Sequence, residues 1–159
     1  MKKTYPIVML ALLVTTLFAC KKNKDNTVDP KKDLVSIWEL AEVSSAMTPV
    51  KTYDPGNGNT LRISEDGTYA YYKNDQTMEQ GNYTIVADTS VEKEVCLLNL
   101  KDKYKNRFEV TNVTPIPTAS AFRTFFYVNG DKLYMIGGCY AIDAGSLRVY
   151  RRANPMVID

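Results

Sequence analysis

Thr124-Phe125-Phe126-Tyr127-Val128-Asn129-Gly130-Asp131-Lys132-Leu133-Tyr134-Met135-Ile136 is two runs of strand-forming residues hinged on an asparagine–glycine pair. β-Branched and aromatic side chains suit a pleated, half-buried surface. Asn-Gly between such runs is a strong hairpin signal, because both residues tolerate the left-handed backbone that a tight turn needs. The stretch therefore predicts antiparallel strands at Thr124–Val128 and Lys132–Ile136. The same pattern recurs outward from it, at Ile37–Val43, Thr60–Ile63, Thr68–Lys73, Gly81–Val86, Val95–Leu100, Arg107–Thr111 and Leu147–Arg151. Turn residues stand between these runs. Ser64-Glu65-Asp66-Gly67 reverses the chain, Asp54-Pro55-Gly56-Asn57-Gly58-Asn59 reads as an exposed loop, and Thr114-Pro115-Ile116-Pro117-Thr118 cannot lie in a central strand.

Helical periodicity is nearly absent, whereas a period of two is plain. Leu61 and Ile63 flank Arg62, Phe108 and Val110 flank Glu109, and Gly81, Tyr83 and Ile85 alternate with Asn82 and Thr84. One face of each strand is dry and the other wet. The fold class is all-β, and sequential hairpins of eight or nine strands fit an antiparallel up-and-down barrel, which leaves no exposed sheet edge. A sandwich with the same strand count is the alternative.

Upstream of the strands the chain changes character. Lys2 and Lys3 precede an apolar run from Ile7 to Ala19 that ends at Cys20. At ~1.5 Å per residue this run makes a helix of roughly 20 Å, short of the ~30 Å hydrocarbon core of a bilayer. It reads as an export signal. Leu17-Phe18-Ala19-Cys20 resembles the lipobox of bacterial lipoproteins, which implies cleavage after residue 19 and acylation of Cys20. The membrane would then be met through a lipid anchor and not a span. Residues 20–33, rich in lysine and aspartate and free of aromatics, read as a flexible tether, and residues 34–159 as one barrel domain. Loss of Lys2 and Lys3 would leave 18 basic and 18 acidic residues. The domain itself has a slight excess of acid, which gives no support to nucleic-acid binding.

Two strand motifs add a family resemblance. Ser36-Ile37-Trp38-Glu39-Leu40 opens the first strand and Leu147-Arg148-Val149-Tyr150-Arg151-Arg152 forms the last. With Asp66-Gly67-Thr68-Tyr69 and Gly81-Asn82-Tyr83-Thr84-Ile85, they resemble the lipocalin-like lipoproteins of Bacteroidota, with Ser36 where lipocalins carry glycine. The resemblance implies that Trp38 sits at a closed barrel end with an arginine of the last strand, Arg148 or Arg151, across its ring. It also implies a cell-envelope location. The lysine-rich start after Cys20 lacks the acidic run associated with surface export, so the expected site is the outer membrane, facing the periplasm.

The chemistry available is narrow. The chain has no histidine, which removes histidine-based triads and histidine-ligated metals. Cys96 and Cys139 are too few for a metal cluster and stand either as a candidate disulfide, permitted in an oxidising compartment, or as two buried thiols. Glu39 with Glu42, and Glu92 with Glu94, read as solvated surface. The Asp54–Asn59 loop has calcium-like oxygen spacing but a single acid. No catalytic residue, metal or cofactor is expected. The chain's 11 tyrosines and 5 phenylalanines carry the functional expectation. Tyr69, Tyr71, Tyr83, Phe125, Tyr127 and Met135, if their faces point inward, would line a pocket for a small hydrophobic or amphipathic ligand. If the barrel is filled, its loops would serve as a protein-binding surface, with an unknown partner.

Overall fold

A computed structural model describes residues 29–115, 123–142 and 145–153. A short helix α1 (Pro30–Leu34) precedes strands β1 (Ser36–Ser44), β2 (Lys51–Thr52), β3 (Asn59–Ile63), β4 (Thr68–Lys73) and β5 (Gln76–Ala87). Helix α2 (Val91–Val95) then leads to β6 (Asn106–Thr114), β7 (Thr124–Asn129), β8 (Lys132–Gly137), a single 3-10 turn at Tyr140–Ile142, and β9 (Ser146–Arg152). Neighbouring strands from β3 to β9 pair in chain order, and β1 pairs with both β3 and β9. That last pairing, Trp38 opposite Arg152 through Ser44 opposite Leu147, closes the ring. The result is a closed antiparallel eight-stranded barrel of lipocalin-like type, with β2 added beside β1. A sandwich would leave β1 and β9 apart. No helix among the described residues is long and apolar enough to cross a membrane. The export signal and Cys20 lie outside the described residues.

Asn129 is the last residue of β7 and pairs with Lys132, so Gly130 and Asp131 make the turn. Gly130 takes its first position at φ 61°, a conformation that favours glycine. From this hairpin the alternation of side chains can be followed strictly. Phe126, Leu133 and Met135 join Trp38, Leu40, Leu61, Ile63, Tyr69, Tyr83, Phe108 and Tyr150 in the barrel interior. Phe125 and Ile136 instead belong to a second core, outside the barrel, with Val91, Val95 and Tyr104.

That second core corrects an expectation. Val95–Leu100 is not a strand. Val91 and Val95 lie four apart on one face of α2, both fully buried, and Cys96 ends the helix in the left-handed conformation. Glu92 Oε1 accepts hydrogen bonds from the backbone N–H of Leu100 (3.1 Å) and Lys101 (3.4 Å), folding the segment back on itself. The connection thus packs over the outer face of β7 and β8. Cys96 and Cys139 form a disulfide there, with Cα atoms 5.1 Å apart.

The other end of the chain is also more ordered than its composition implies. Asp29 caps α1 by accepting from the Lys31 N–H at 3.0 Å, and Pro30 occupies the first turn, where its missing donor costs nothing. Leu34 is fully buried in the barrel core. Residues 29–33, expected in the tether, are therefore ordered, because Leu34 anchors their short helix in the barrel core.

The closed end is built on Trp38, which is fully buried. Its Nε1–H donates to the Leu34 carbonyl at 2.8 Å. The arginine across its ring is Arg152, with its guanidinium carbon 4.5 Å from the ring centroid. Neither Arg148 nor Arg151 fills this role. Register decides the matter: Arg152 is the residue opposite Trp38, Arg151 is opposite Glu39, and Arg148 lies four residues, or ~13 Å, further along β9. Arg152 Nη2 also donates to the Asp33 carbonyl at 3.1 Å, tying β9 to α1. Arg152→Ala should red-shift the emission of the single tryptophan and lower stability by about 1 kcal/mol. Fluorescence-monitored denaturation measures both, and Arg148→Ala should leave the emission maximum where it is.

Glu39 is buried, not solvated. Its Oε1 accepts from the N–H groups of Gly56 and Asn57, and its Oε2 lies 3.5 Å from Arg151 Nε. Arg151 also donates to the Tyr53 carbonyl. Asn57 Nδ2 reaches the carbonyls of Leu40 (2.9 Å) and Asp54 (2.7 Å). The Asp54–Asn59 loop thus spends its polar groups in clasping the outside of β1.

Candidate functional site

The interior divides into a filled half and an open half. Around Trp38 the barrel is packed by Leu34, Ile63, Phe126 and Leu133, all nearly inaccessible. Phe108 forms the boundary. Its ring stacks on Tyr83 at a centroid distance of 5.1 Å and meets Tyr69 edge-on at 5.6 Å. Beyond this aromatic floor lies a cavity of ≈850 Å³, within the size range of pockets that enclose a small molecule.

Two features of the sheet open it. Gly81 sits opposite Tyr69, and a Cβ there would come within 2.7 Å of the Thr111 carbonyl and 3.1 Å of the Tyr69 ring. Glycine lets that ring lie flat along β5, so the space spared belongs to Tyr69 and not to Tyr83. The second feature is the seam between β6 and β7. Only Asn106, Arg107 and Phe108 pair across it, while β6 continues to Thr114 alongside β5 alone. Past Phe108 the two strands part, and Val110, Thr111 and Val113 border the cavity.

Leu61, Phe108, Val110, Val113 and Met135 supply its apolar surface. Its polar groups are arranged unequally. Glu79 points inward from β5 and accepts from the Tyr69 hydroxyl at 2.7 Å. Tyr71 donates to Asn59 Oδ1 at 3.2 Å. Tyr150, from β9, is fully buried, and the Arg148 guanidinium lies beside its hydroxyl. Burial pushes all three phenols above their ordinary range, reinforced at Tyr69 by the Glu79 carboxylate and opposed at Tyr71 and Tyr150 by Arg148. They remain protonated, and so able to donate, at neutral pH.

Of the six side chains expected to line a pocket, three do: Tyr69, Tyr71 and Met135. Tyr83 points inward but fills the closed half, its hydroxyl donating to the Ser64 carbonyl at 2.8 Å. Phe125 and Tyr127 share a face, as expected, but it is the outer one. Phe125 is buried against α2, and the Tyr127 ring stacks on Tyr134 at 4.5 Å. The residues that sequence reasoning missed are Leu61, Glu79, Phe108, Val110, Arg148 and Tyr150. Their parity was legible: counting by twos along Leu147–Arg152 puts Arg148, Tyr150 and Arg152 on one face, once any one of them is known to point inward.

Three arginines reach the cavity or its rim. Arg107 pairs with Asp88 at 3.0 Å and with Glu109, and Arg123 pairs with Glu94 at 2.9 Å. Arg148 has no carboxylate within ion-pair distance among the described residues. In comparisons with known proteins, the chain matches no family model, no curated protein and no solved structure. A functional reading therefore rests on the cavity and the residues around it.

Proposed function

We propose that this chain is a lipid-anchored envelope lipoprotein that holds a small amphipathic molecule inside its barrel and catalyses no reaction. The observation that carries the binding role is the open half of the interior. A solid barrel would bring side chains together above Phe108, whereas here ≈850 Å³ stands beside five apolar residues and a few convergent polar groups. A pocket of that character takes up apolar surface and fixes its orientation with a small number of hydrogen bonds. The anchor rests on the lipobox-like Leu17-Phe18-Ala19-Cys20 and on the signal before it, and the periplasmic face of the outer membrane is the location that goes with it.

The uncharged dye Nile red, whose emission rises in apolar surroundings, tests the binding role. It should bind with micromolar affinity, about −8 kcal/mol. Val110→Trp, which puts an indole into the parted seam, should weaken that binding at least tenfold while the melting transition persists. No binding to the wild-type protein would reject the reading and leave its loops as the functional surface. Exposed Met47, Val50 and Ile142 in those loops are the observation that favours this second role.

A further inference from the structure

Among the described residues, the cavity contains one inward cation with no carboxylate within ion-pair distance, and this sets the chemistry of what it holds. Arg107, on β6, and Arg123, just before β7, reach the cavity's rim but are paired with Asp88 and Glu94 there. Arg148 is different. It shares the inward face of β9 with Tyr150 and Arg152, and it stands where the cavity is still open to water. A hydrated guanidinium at that position costs the fold little. Covering it with an apolar molecule would be costly unless that molecule brought a negative charge.

We infer that the occupant of the cavity is an amphiphile with a monocarboxylate head, bound by Arg148 with Tyr150 beside it, its tail lying on Leu61, Phe108, Val110 and Met135. The inference rests on the ligand-binding reading above and deepens it. A guanidinium presents two parallel donors that match a carboxylate, and such pairs are among the stronger hydrogen-bonded contacts. The Tyr150 hydroxyl adds a donor beside them. Glu79 narrows the choice. It is the cavity's one inward acid among the described residues, and it holds a hydrogen bond from Tyr69 inside the same space. Glu79 is not within ion-pair distance of Arg148, so it leaves the guanidinium for the head group. Its charge in the same space opposes a second negative charge there and disfavours a dianion. A neutral head would leave the guanidinium covered and unpaired. A cationic head would oppose Arg148 directly.

Dodecanoate, dodecan-1-ol and dodecyl phosphate share a tail and differ in the head. Calorimetric titration at pH 7.5, with Nile red displacement in parallel, ranks them on the wild-type protein and on Arg148→Gln. The wild type should prefer dodecanoate to dodecan-1-ol by at least tenfold and should bind dodecyl phosphate no more tightly than dodecanoate. In Arg148→Gln the ratio of dodecanoate to dodecan-1-ol affinity should fall close to one. Arg148→Lys should restore part of it, since the charge returns without the paired donors. A wild type that takes up Nile red and dodecan-1-ol but shows no preference for dodecanoate would overturn the head-group inference and leave the cavity as a binding site. So would a preference that survives Arg148→Gln, or a clear gain for dodecyl phosphate. Failure of all four compounds to bind would overturn the ligand-binding reading and this inference with it.

Discussion

Phe125→Ala is expected to lower the stability of the domain by about 3–5 kcal/mol, the usual cost of deleting a large buried aromatic, and to leave Nile red affinity unchanged. Phe125 is fully buried but does not line the cavity. It packs with Val91, Val95, Tyr104 and Ile136 between the outer face of the barrel and the α2 connection. Deleting the ring leaves a void there, which neighbours anchored on two strands and a short helix can fill only in part. A loss of this size is a large fraction of the ~5–15 kcal/mol that typically holds a domain together. Urea denaturation should therefore show a clearly lower midpoint, and dye titration well below that midpoint should give the wild-type affinity. The opposite pair of results, weakened dye binding with an unchanged midpoint, would put Phe125 inside the barrel and reverse the assignment of every side chain on β7.

Why Phe125 was expected on the other face is a matter of parity. The sequence Thr124-Phe125-Phe126-Tyr127-Val128 is apolar or aromatic on both faces, because both faces of β7 are covered, one by the barrel core and one by α2. A strand buried on both sides has no wet residue to mark which way it points. In β3 and β6, where Arg62 and Glu109 alternate with apolar neighbours, inward and outward could be told apart, and Leu61, Ile63, Phe108 and Val110 do point inward. The α2 segment was misread for a related reason. Val95-Cys96-Leu97-Leu98 has strand-like composition, but Val95 and Leu97 pack into the outer core over β7 and β8 while Leu98 is exposed. Closure of the barrel and the role of Trp38 were legible from the first and last strands. The identity of the covering arginine was not, since the triplet of basic residues on β9 differs only in register, and register is set by pairing with β1 across the whole length of the chain. The cavity itself was least legible. Its inward charges come from Glu79 and Arg148, two residues that composition alone assigns to the surface.

Cys139→Ser is expected to cost about 2–4 kcal/mol of stability. The bond joins residues 43 apart in sequence, and in the chain-entropy account closing such a loop removes conformations of the unfolded chain worth about 4 kcal/mol. The loop that it closes starts at the end of α2 and contains strands β6, β7 and β8, so it ties the helix to the strands that it covers. One end is Cys96, immediately after the buried Val95. The other is Cys139, two residues past Gly137, which borders the cavity. Cutting the bond should therefore act in two places. The global midpoint should fall, and hydrogen exchange should rise first in α2, whose five residues cannot hold a helix without the packing of Val91 and Val95. Wild-type protein treated with dithiothreitol should reach the same midpoint as Cys139→Ser, since both carry the same uncrosslinked chain. Equal midpoints for oxidised and reduced wild type, or alkylation of both Cys96 and Cys139 in protein unfolded without reductant, would show that the two sulfurs are not joined. The outer core would then rest on apolar packing alone.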